Sequence, residues 1–400
     1  MTANNLVVLG GAGAMGRVAV ANLSHRPDVA RVVIADRNVV GARQLAATLT
    51  DTQCQVVAVA VDVAEPAGLR TVLAGADTVL NTTGPFFRFG VPILDAAIDT
   101  GTHYVDICDD PHPTSEMLGR HEAAIAADVT CIIGAGASPG TSNMLASLAA
   151  AELDDVTDIY TVWPVDIESP IGDEPHASAG APNSAAVVHW MEQLSGTIPV
   201  VTEGRADQRR PLEAVRLHYP SLGPGTVYTV GHPEPVTLPR HLTITGQSAC
   251  AMAVTPWTAA YLIGLRDDID SDRLTLDQAA QKLSTPSMWR TARAGLRAIG
   301  LHGPAKLPAF FALASGTRHG LPHTAGARLL ASPAGMARAT GIPLTLAVGQ
   351  LLDRTITARG VFAPEAVLEP RRFFTQLAAH CDPPVADFDN IVRVDTTAST

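Results

Sequence analysis

The chain has 400 residues, 46% of them hydrophobic and 17% charged, with a formal net charge of −11. That length calls for more than one domain, and the balance is that of a folded protein with ample core, which excludes a disordered chain. The negative balance comes with no lysine- or arginine-rich stripe, which argues against nucleic acid or an anionic membrane as a partner.

The first predicted strand, Leu6-Val7-Val8-Leu9-Gly10, runs into Gly11-Ala12-Gly13-Ala14-Met15-Gly16, which fits G-x-G-x-x-G. A helix follows from Arg17 to His25, then a second strand from Arg31 to Ala35 that ends at Asp36. In such a turn Gly11 allows the tight bend, Gly13 lets the backbone approach a pyrophosphate, and Gly16 lets helix and strand pack closely. The helix N-terminus at Ala14 and Met15 offers N–H groups and a positive dipole end to phosphates. Asp36, 20 residues past Gly16, is placed to accept hydrogen bonds from both ribose hydroxyls, which points to NAD. Arg37 beside it is of the type that attracts a 2′-phosphate or stacks on adenine, so NADP stays open.

Further strands are predicted at Gln55–Val61, Thr78–Asn81, His103–Ile107 and Thr130–Ile133. Helices fall between them near Val39–Leu49, Pro66–Leu73, Val91–Thr100 and Ser115–Ala127. The alternation predicts an α/β fold with a doubly wound parallel sheet, a Rossmann domain over residues 1–145. A mixed α/β substrate or dimerisation domain is expected over 146–340, with strands at Thr226–Val230 and Leu242–Thr245 and helices at Ser184–Leu194 and 271–300. Residues 164–183 and 303–335 are rich in loop-forming residues. Residues 341–400 open with a strongly apolar helix, Ile342–Ile356, and are expected as a C-terminal helical segment.

No targeting or membrane-spanning segment is apparent, and the five cysteines are scattered, with no C-x-x-C. That fits a reduced cytoplasm. Cys108 and His112 are four apart but lack further ligands nearby in sequence, so no metal site is expected.

Ligands of a doubly wound sheet lie beyond the carboxyl ends of its strands. Asp62-Val63 closes the third strand and suits the adenine edge. Thr82-Thr83-Gly84-Pro85 follows the fourth and should pass the nicotinamide ribose, with Phe86 and Arg88 just beyond. Asp106 ends the fifth, and the glycine-rich Gly134–Asn143 ends the sixth, with Ser138 and Asn143 as substrate-binding candidates.

Together with the N-terminal fingerprint, three segments resemble the saccharopine dehydrogenase-like oxidoreductases. They are Asn81-Thr82-Thr83-Gly84-Pro85-Phe86, Gly101-Thr102-His103-Tyr104-Val105-Asp106 and Ser138-Pro139-Gly140-Thr141-Ser142-Asn143. The likeness continues in Gly231-His232-Pro233-Glu234-Pro235 and in Gly360-Val361-Phe362-Ala363-Pro364-Glu365. The resemblance implies a Rossmann domain interrupted by a mixed substrate domain, with the C-terminal segment returning to the first. It also implies reversible, nicotinamide-dependent reduction of an imine formed from an amine or amino acid and a carbonyl compound. Asp109-Asp110 stands where many relatives carry a small residue and glutamate, and Ser169–Asn183 matches no family pattern.

Such chemistry needs the C=N carbon held near the nicotinamide and a proton donor or relay. Tyr104 and Asp106 share one face of their strand and His103 takes the other. Asp106 is expected to stabilise a cationic iminium and Tyr104 to donate a proton or orient substrate. The alternatives are a structural carboxylate and, for His103, a core histidine. Arg88 and Arg240 are candidate carboxylate anchors. Asn183 and His189 belong to the loop and helix of the second domain expected to face the cleft, and His232 is its best histidine by resemblance, with Asn183 and His232 as further substrate-binding candidates. Two rival functions stay open: a dehydrogenase of an alcohol or aldehyde on the same fold, and a non-catalytic NAD(H) sensor. A homodimer is expected.

Overall fold

The computed structural model describes residues 4–172 and 185–398. Its strands begin with β1 (Asn4–Leu9), β2 (Val29–Asp36), β3 (Gln55–Ala60), β4 (Thr78–Asn81), β5 (His103–Asp106) and β6 (Thr130–Ile132). They continue with β7 (Asp155–Pro164), β8 (Ile198–Thr202), β9 (Arg205–Arg209), β10 (Ala214–Tyr219), β11 (Gly223–Thr229) and β12 (Ser248–Ala253). The last are β13 (Phe311–Arg318), β14 (Leu321–Leu329), β15 (Gly360–Phe362) and β16 (Val392–Ala398).

The chain divides into two compact units, Met1–Thr141 with Met336–His380, and Ser142–Gly335 with Cys381–Thr400. The first holds a seven-stranded sheet in the order β15-β6-β5-β4-β1-β2-β3, and every neighbouring pair is parallel. Leu6, Val7, Val8 and Leu9 are all buried, as strands covered on both faces must be. The strand order reverses between β1 and β4, the switch point at which doubly wound sheets bind ligands. Register aligns the strand ends there, since Leu9 pairs with Asn81 and Asn81 with Asp106.

Helix Met336–Leu352 packs on helix Ala14–Leu23. A side chain at Gly341 would come 2.9 Å from both Met15 O and Val18 Cβ, so glycine allows the close approach. Thr345 Oγ1 donates to Asn22 Oδ1 at 2.9 Å, and Arg26 pairs with Asp353 at 3.0 Å.

The second unit carries the mixed sheet. β12 and β7 run parallel at its centre, and the antiparallel strands β10, β11, β13, β14 and β16 extend it. Its core gathers Val162, Leu217, Tyr219, Val227, Phe311 and Leu313.

Several elements differ from the sequence reading. Residues 341–400 do not stay together: 381–400 belong to the second unit, where β16 pairs with β14. Leu242–Thr245 forms no strand, and only Ile244 makes an isolated bridge to Val156. The segment read as loop-rich holds the β13–β14 hairpin, turned by His319 and Gly320, both at positive φ. Its strands are rich in alanine and glycine because neighbours crowd them: a Cβ at Gly316 would overlap Asp155 O, and one at Gly326 the Tyr219 ring. The helix expected over Ser115–Ala127 is two, Pro111–Leu118 and His121–Ala126, interrupted at Gly119-Arg120. Residues 271–300 likewise hold Leu276–Ser284 and Met288–Ala298, separated at Pro286.

Candidate active site

The turn after β1 is built by its glycines, for different reasons. Gly10 has φ +71°, and a Cβ there would lie 2.9 Å from Thr82 Oγ1 and 3.0 Å from Thr83 Oγ1. At Gly11 a Cβ would meet Ile34 Cγ2 at 2.8 Å, and at Gly16 it would overlap Gly10 O. These positions are glycine because the protein's own packing demands it. Gly13 is exposed, has φ −73°, and a Cβ there would meet only Gly10 O, at 3.1 Å. Within the fold this position is crowded less than Gly10, Gly11 or Gly16, whereas a ligand seated on the helix N-terminus would require glycine here. Gly13 also gives helix Ala14–Leu23 no side-chain cap, so the first-turn N–H groups around Ala14 and Met15 suit an anion. The residues present therefore fit a dinucleotide.

Asp36 ends β2 against this turn. One carboxylate oxygen accepts from Ala12 N at 2.9 Å and the other from Asn38 N at 2.7 Å. Arg37 beside it is exposed. Asp62 is exposed and accepts from Ala64 N at 2.9 Å, and Val63 is half-buried. Thr82 donates to Leu9 O at 2.8 Å, tying the loop after β4 to the end of β1. The buried Thr83 Oγ1 has no hydrogen-bond partner among the described residues, a polar atom left over beside the turn. Gly84 is exposed, Pro85 half-buried and Phe86 buried. Arg88 is exposed, its guanidinium 4.8 Å from the Phe89 ring centre.

The ends of β4 and β5 carry a buried polar row. Asn81 Nδ2 donates to Tyr104 Oη at 3.0 Å, and Tyr104 Oη donates to Asp106 Oδ2 at 2.7 Å. The other Asp106 oxygen accepts from Gly134 N at 2.7 Å and Cys108 N at 3.0 Å. Asn81 Oδ1 accepts from Thr83 N at 2.9 Å. All three side chains are fully buried, so each polar atom must be paired inside the protein. Asp106 thus ties the loops after β5 and β6 to the phenol of Tyr104. Sequence reading named Tyr104 and Asp106 but assigned Asn81 no role of its own; its place in register beside Asp106 was the available signal.

Burial pushes the Asp106 carboxyl up to about 6, while its backbone and phenol donors pull the other way. Folded Asp106 therefore holds its proton at pH values where the unfolded carboxyl has lost it. Its contribution to stability is present below the unfolded value of about 3.8 and declines as pH rises through about 6. The stability of wild type relative to Asp106→Asn should fall between those values, by at most about 3 kcal/mol. Urea unfolding at several pH values reads this, and a flat difference would contradict it. Burial, and then the neighbouring Asp106 charge, push the Tyr104 hydroxyl far above its ordinary range.

The remaining candidates are scattered. His103 starts β5, at the far end from Asp106, and its Nδ1 accepts from Thr130 N at 2.9 Å. The structure does not bring it to the strand-end row. Ser138 is half-buried in the loop after β6. Asn143 is buried in helix Thr141–Ala150 and donates to Thr237 Oγ1 at 3.3 Å in the second unit. His232 is buried in that unit, 3.5 Å from Glu234. Arg240 is exposed, His189 contacts Gln193 at 3.0 Å, and Asn183 lies outside the described residues.

Residues 6–132 match the family model described as the saccharopine dehydrogenase NADP binding domain. The fold is similar to that of an apo saccharopine dehydrogenase (L-Glu forming) from Saccharomyces cerevisiae, with TM-score 0.63 over 99% of this chain and all of that one, at 16% identity. Among curated proteins, a trans-acting enoyl reductase from Mycobacterium tuberculosis is 29% identical over 103 residues, 26% of this chain and 25% of that protein. One from Mycobacterium leprae is 27% identical over 129 residues, 32% of this chain and 31% of that protein. The matches thus span a quarter to a third of those relatives. Residues 6–132 are thus similar to a nicotinamide dinucleotide-binding domain, and the chain shares its fold with a dehydrogenase. Among the described residues, no helix is long and apolar enough to cross a membrane.

Proposed function

We propose that the chain reversibly reduces an imine formed from an amine or amino acid and a carbonyl compound. The observation that carries this reading is the buried Asn81–Tyr104–Asp106 row, in register with the glycine turn. A bound nicotinamide supplies or accepts the hydride. In this reading Gly11, Gly13, Ala14, Met15 and Gly16 surround the pyrophosphate, and Asp36 and Arg37 border the adenosine ribose. Asp62 and Val63 border the adenine, and Thr82, Thr83, Gly84 and Pro85 run past the nicotinamide ribose. Phe86, Arg88 and Ser138 face the substrate.

Asp106 and Tyr104 are positioning residues here, because Asp106 already receives donors on both oxygens. Tyr104 is fully buried and donates its hydrogen bond to Asp106, so it acts through that carboxylate. The names of the mycobacterial relatives favour a second reading, hydride delivery to the C=C bond of an enoyl group. Turnover of NADH or NADPH with paired amines and 2-oxo acids, and separately with enoyl thioesters, tests the two. Binding without turnover across both panels would indicate a sensor.

The cofactor preference follows from Asp36, whose carboxylate would face a 2′-phosphate. Asp36→Ala should weaken NAD(H) and improve the relative use of NADP(H), read as dissociation constants. A tenfold native preference for NADPH would overturn the assignment to NAD. We also propose a cytoplasmic homodimer, for which light scattering at micromolar concentration should give twice the chain mass of 41.7 kDa.

A further inference from the structure

A cluster in the second unit plays no part in this reading. His232, Glu234 and Cys250 are 4%, 0% and 1% exposed, and one ligand atom from each lies within 4.8 Å of the others. Cys250 comes from β12, while His232 and Glu234 come from the His-Pro-Glu turn that opens the short helix Glu234–Thr237. His232 Nδ1 stands 3.5 Å from Glu234 Oε2, beyond the usual N–H···O range of about 2.7–3.2 Å. Two nitrogen or oxygen ligands about 2.0–2.1 Å from one tetrahedral ion are about 3.3 Å apart, and a thiolate at about 2.3 Å stands about 3.6 Å from either. The observed spacing is closer to that of a ligand set than to that of a tight hydrogen-bonded pair. The other Glu234 oxygen accepts a 2.7 Å hydrogen bond from Ser142 Oγ, as an oriented ligating carboxylate does. The Trp163 ring, centred 5.4 Å from that of His232, lies against the cluster.

We propose that His232, Glu234 and Cys250 bind one divalent ion of the zinc class, with Ser142 orienting Glu234 and a water in the fourth position. One thiolate, one imidazole and one carboxylate suit zinc or cobalt better than magnesium or calcium, which prefer oxygen alone. Binding converts the Cys250 thiol to a metal-bound thiolate and releases its proton to solvent. The site is independent of the reaction proposed above and is tested without substrate.

Zinc content after dialysis should be one ion per chain, and cobalt(II) titration should give a thiolate-to-cobalt charge-transfer band that zinc removes. Cys250→Ser should abolish the band and weaken zinc at least 100-fold, and Ser142→Ala should weaken it roughly tenfold. X-ray absorption of the zinc-loaded wild type needs no variant: one sulfur near 2.3 Å with nitrogen or oxygen near 2.0–2.1 Å is expected. Absence of bound zinc, a zinc shell without sulfur, or an unchanged cobalt band in folded Cys250→Ser would overturn the site. Any of these would leave His232 and Glu234 as a buried polar pair without a metal.

Discussion

Replacing Gly13 by valine should abolish NAD(H) binding while leaving the unliganded first domain folded. The contrast with Gly16 gives this expectation its content. A Cβ at Gly16 would overlap Gly10 O and lie 2.7 Å from Gly11 Cα, so Gly16→Val should destabilise the domain itself. At Gly13 the backbone is at φ −73°, the position is exposed, and only Gly10 O comes near a Cβ. A branched side chain there stands where the pyrophosphate should approach the turn. Calorimetric titration with NADH should give no measurable heat of binding for Gly13→Val, and the unliganded melting temperature should stay within a few degrees of wild type. Wild-type affinity in this variant would remove the dinucleotide from the turn. A collapse in stability would show that the fold needs Gly13 after all.

Asp106→Asn should lower turnover by roughly 10²-fold while leaving NAD(H) affinity within a few-fold. The amide oxygen can still accept from Gly134 N and Cys108 N. Its NH₂ then faces Tyr104 Oη, which already receives the Asn81 amide, and the tyrosine proton loses its acceptor. A buried donor left unmatched costs about 1–3 kcal/mol, and the strand-end row loses its link between Tyr104 and residue 106, while the loops after β5 and β6 keep theirs. Tyr104→Phe should cost less turnover, and the double variant should be non-additive because the two groups share one hydrogen bond. The pH profile separates the roles. A positioning carboxylate leaves the shape of the kcat profile unchanged in Asp106→Asn, whereas one that delivers a proton shifts or removes a limb. Wild-type turnover in Asp106→Asn would place the active site elsewhere.

The first domain was legible because its signals are local. Apolar runs at Leu6–Leu9 and Val32–Ala35, the glycines between them and Asp36 specify strand, turn and strand without knowledge of distant contacts. The second unit was less legible because its strands borrow their reasons from elsewhere. Gly316 and Gly326 read as loop residues, yet they are small because Asp155 and Tyr219 press on them from strands far away in sequence. The return of β16 to β14 had no local mark for the same reason. At the candidate site, strand alternation placed Tyr104 and Asp106 on one face. It did not reveal that the donors from Gly134 and Cys108 would occupy the carboxylate. His103 failed to reach the same edge because it begins the strand that Asp106 ends. The His232–Glu234–Cys250 cluster was hidden because Cys250 is 16 residues beyond Glu234, with none of the close spacing that marks a metal motif.

The most direct test of the proposed reaction follows the hydrogen itself. Nicotinamide cofactor deuterated at the transferable position is incubated with the chain and, in parallel reactions, with pairs of amine and 2-oxo acid and with enoyl thioesters, and the products are examined by mass spectrometry. The proposal predicts one deuterium per product molecule, on the carbon bonded to the newly joined nitrogen. Deuterium found only on a carbon of a reduced enoyl thioester, with none in any amine product, would contradict it.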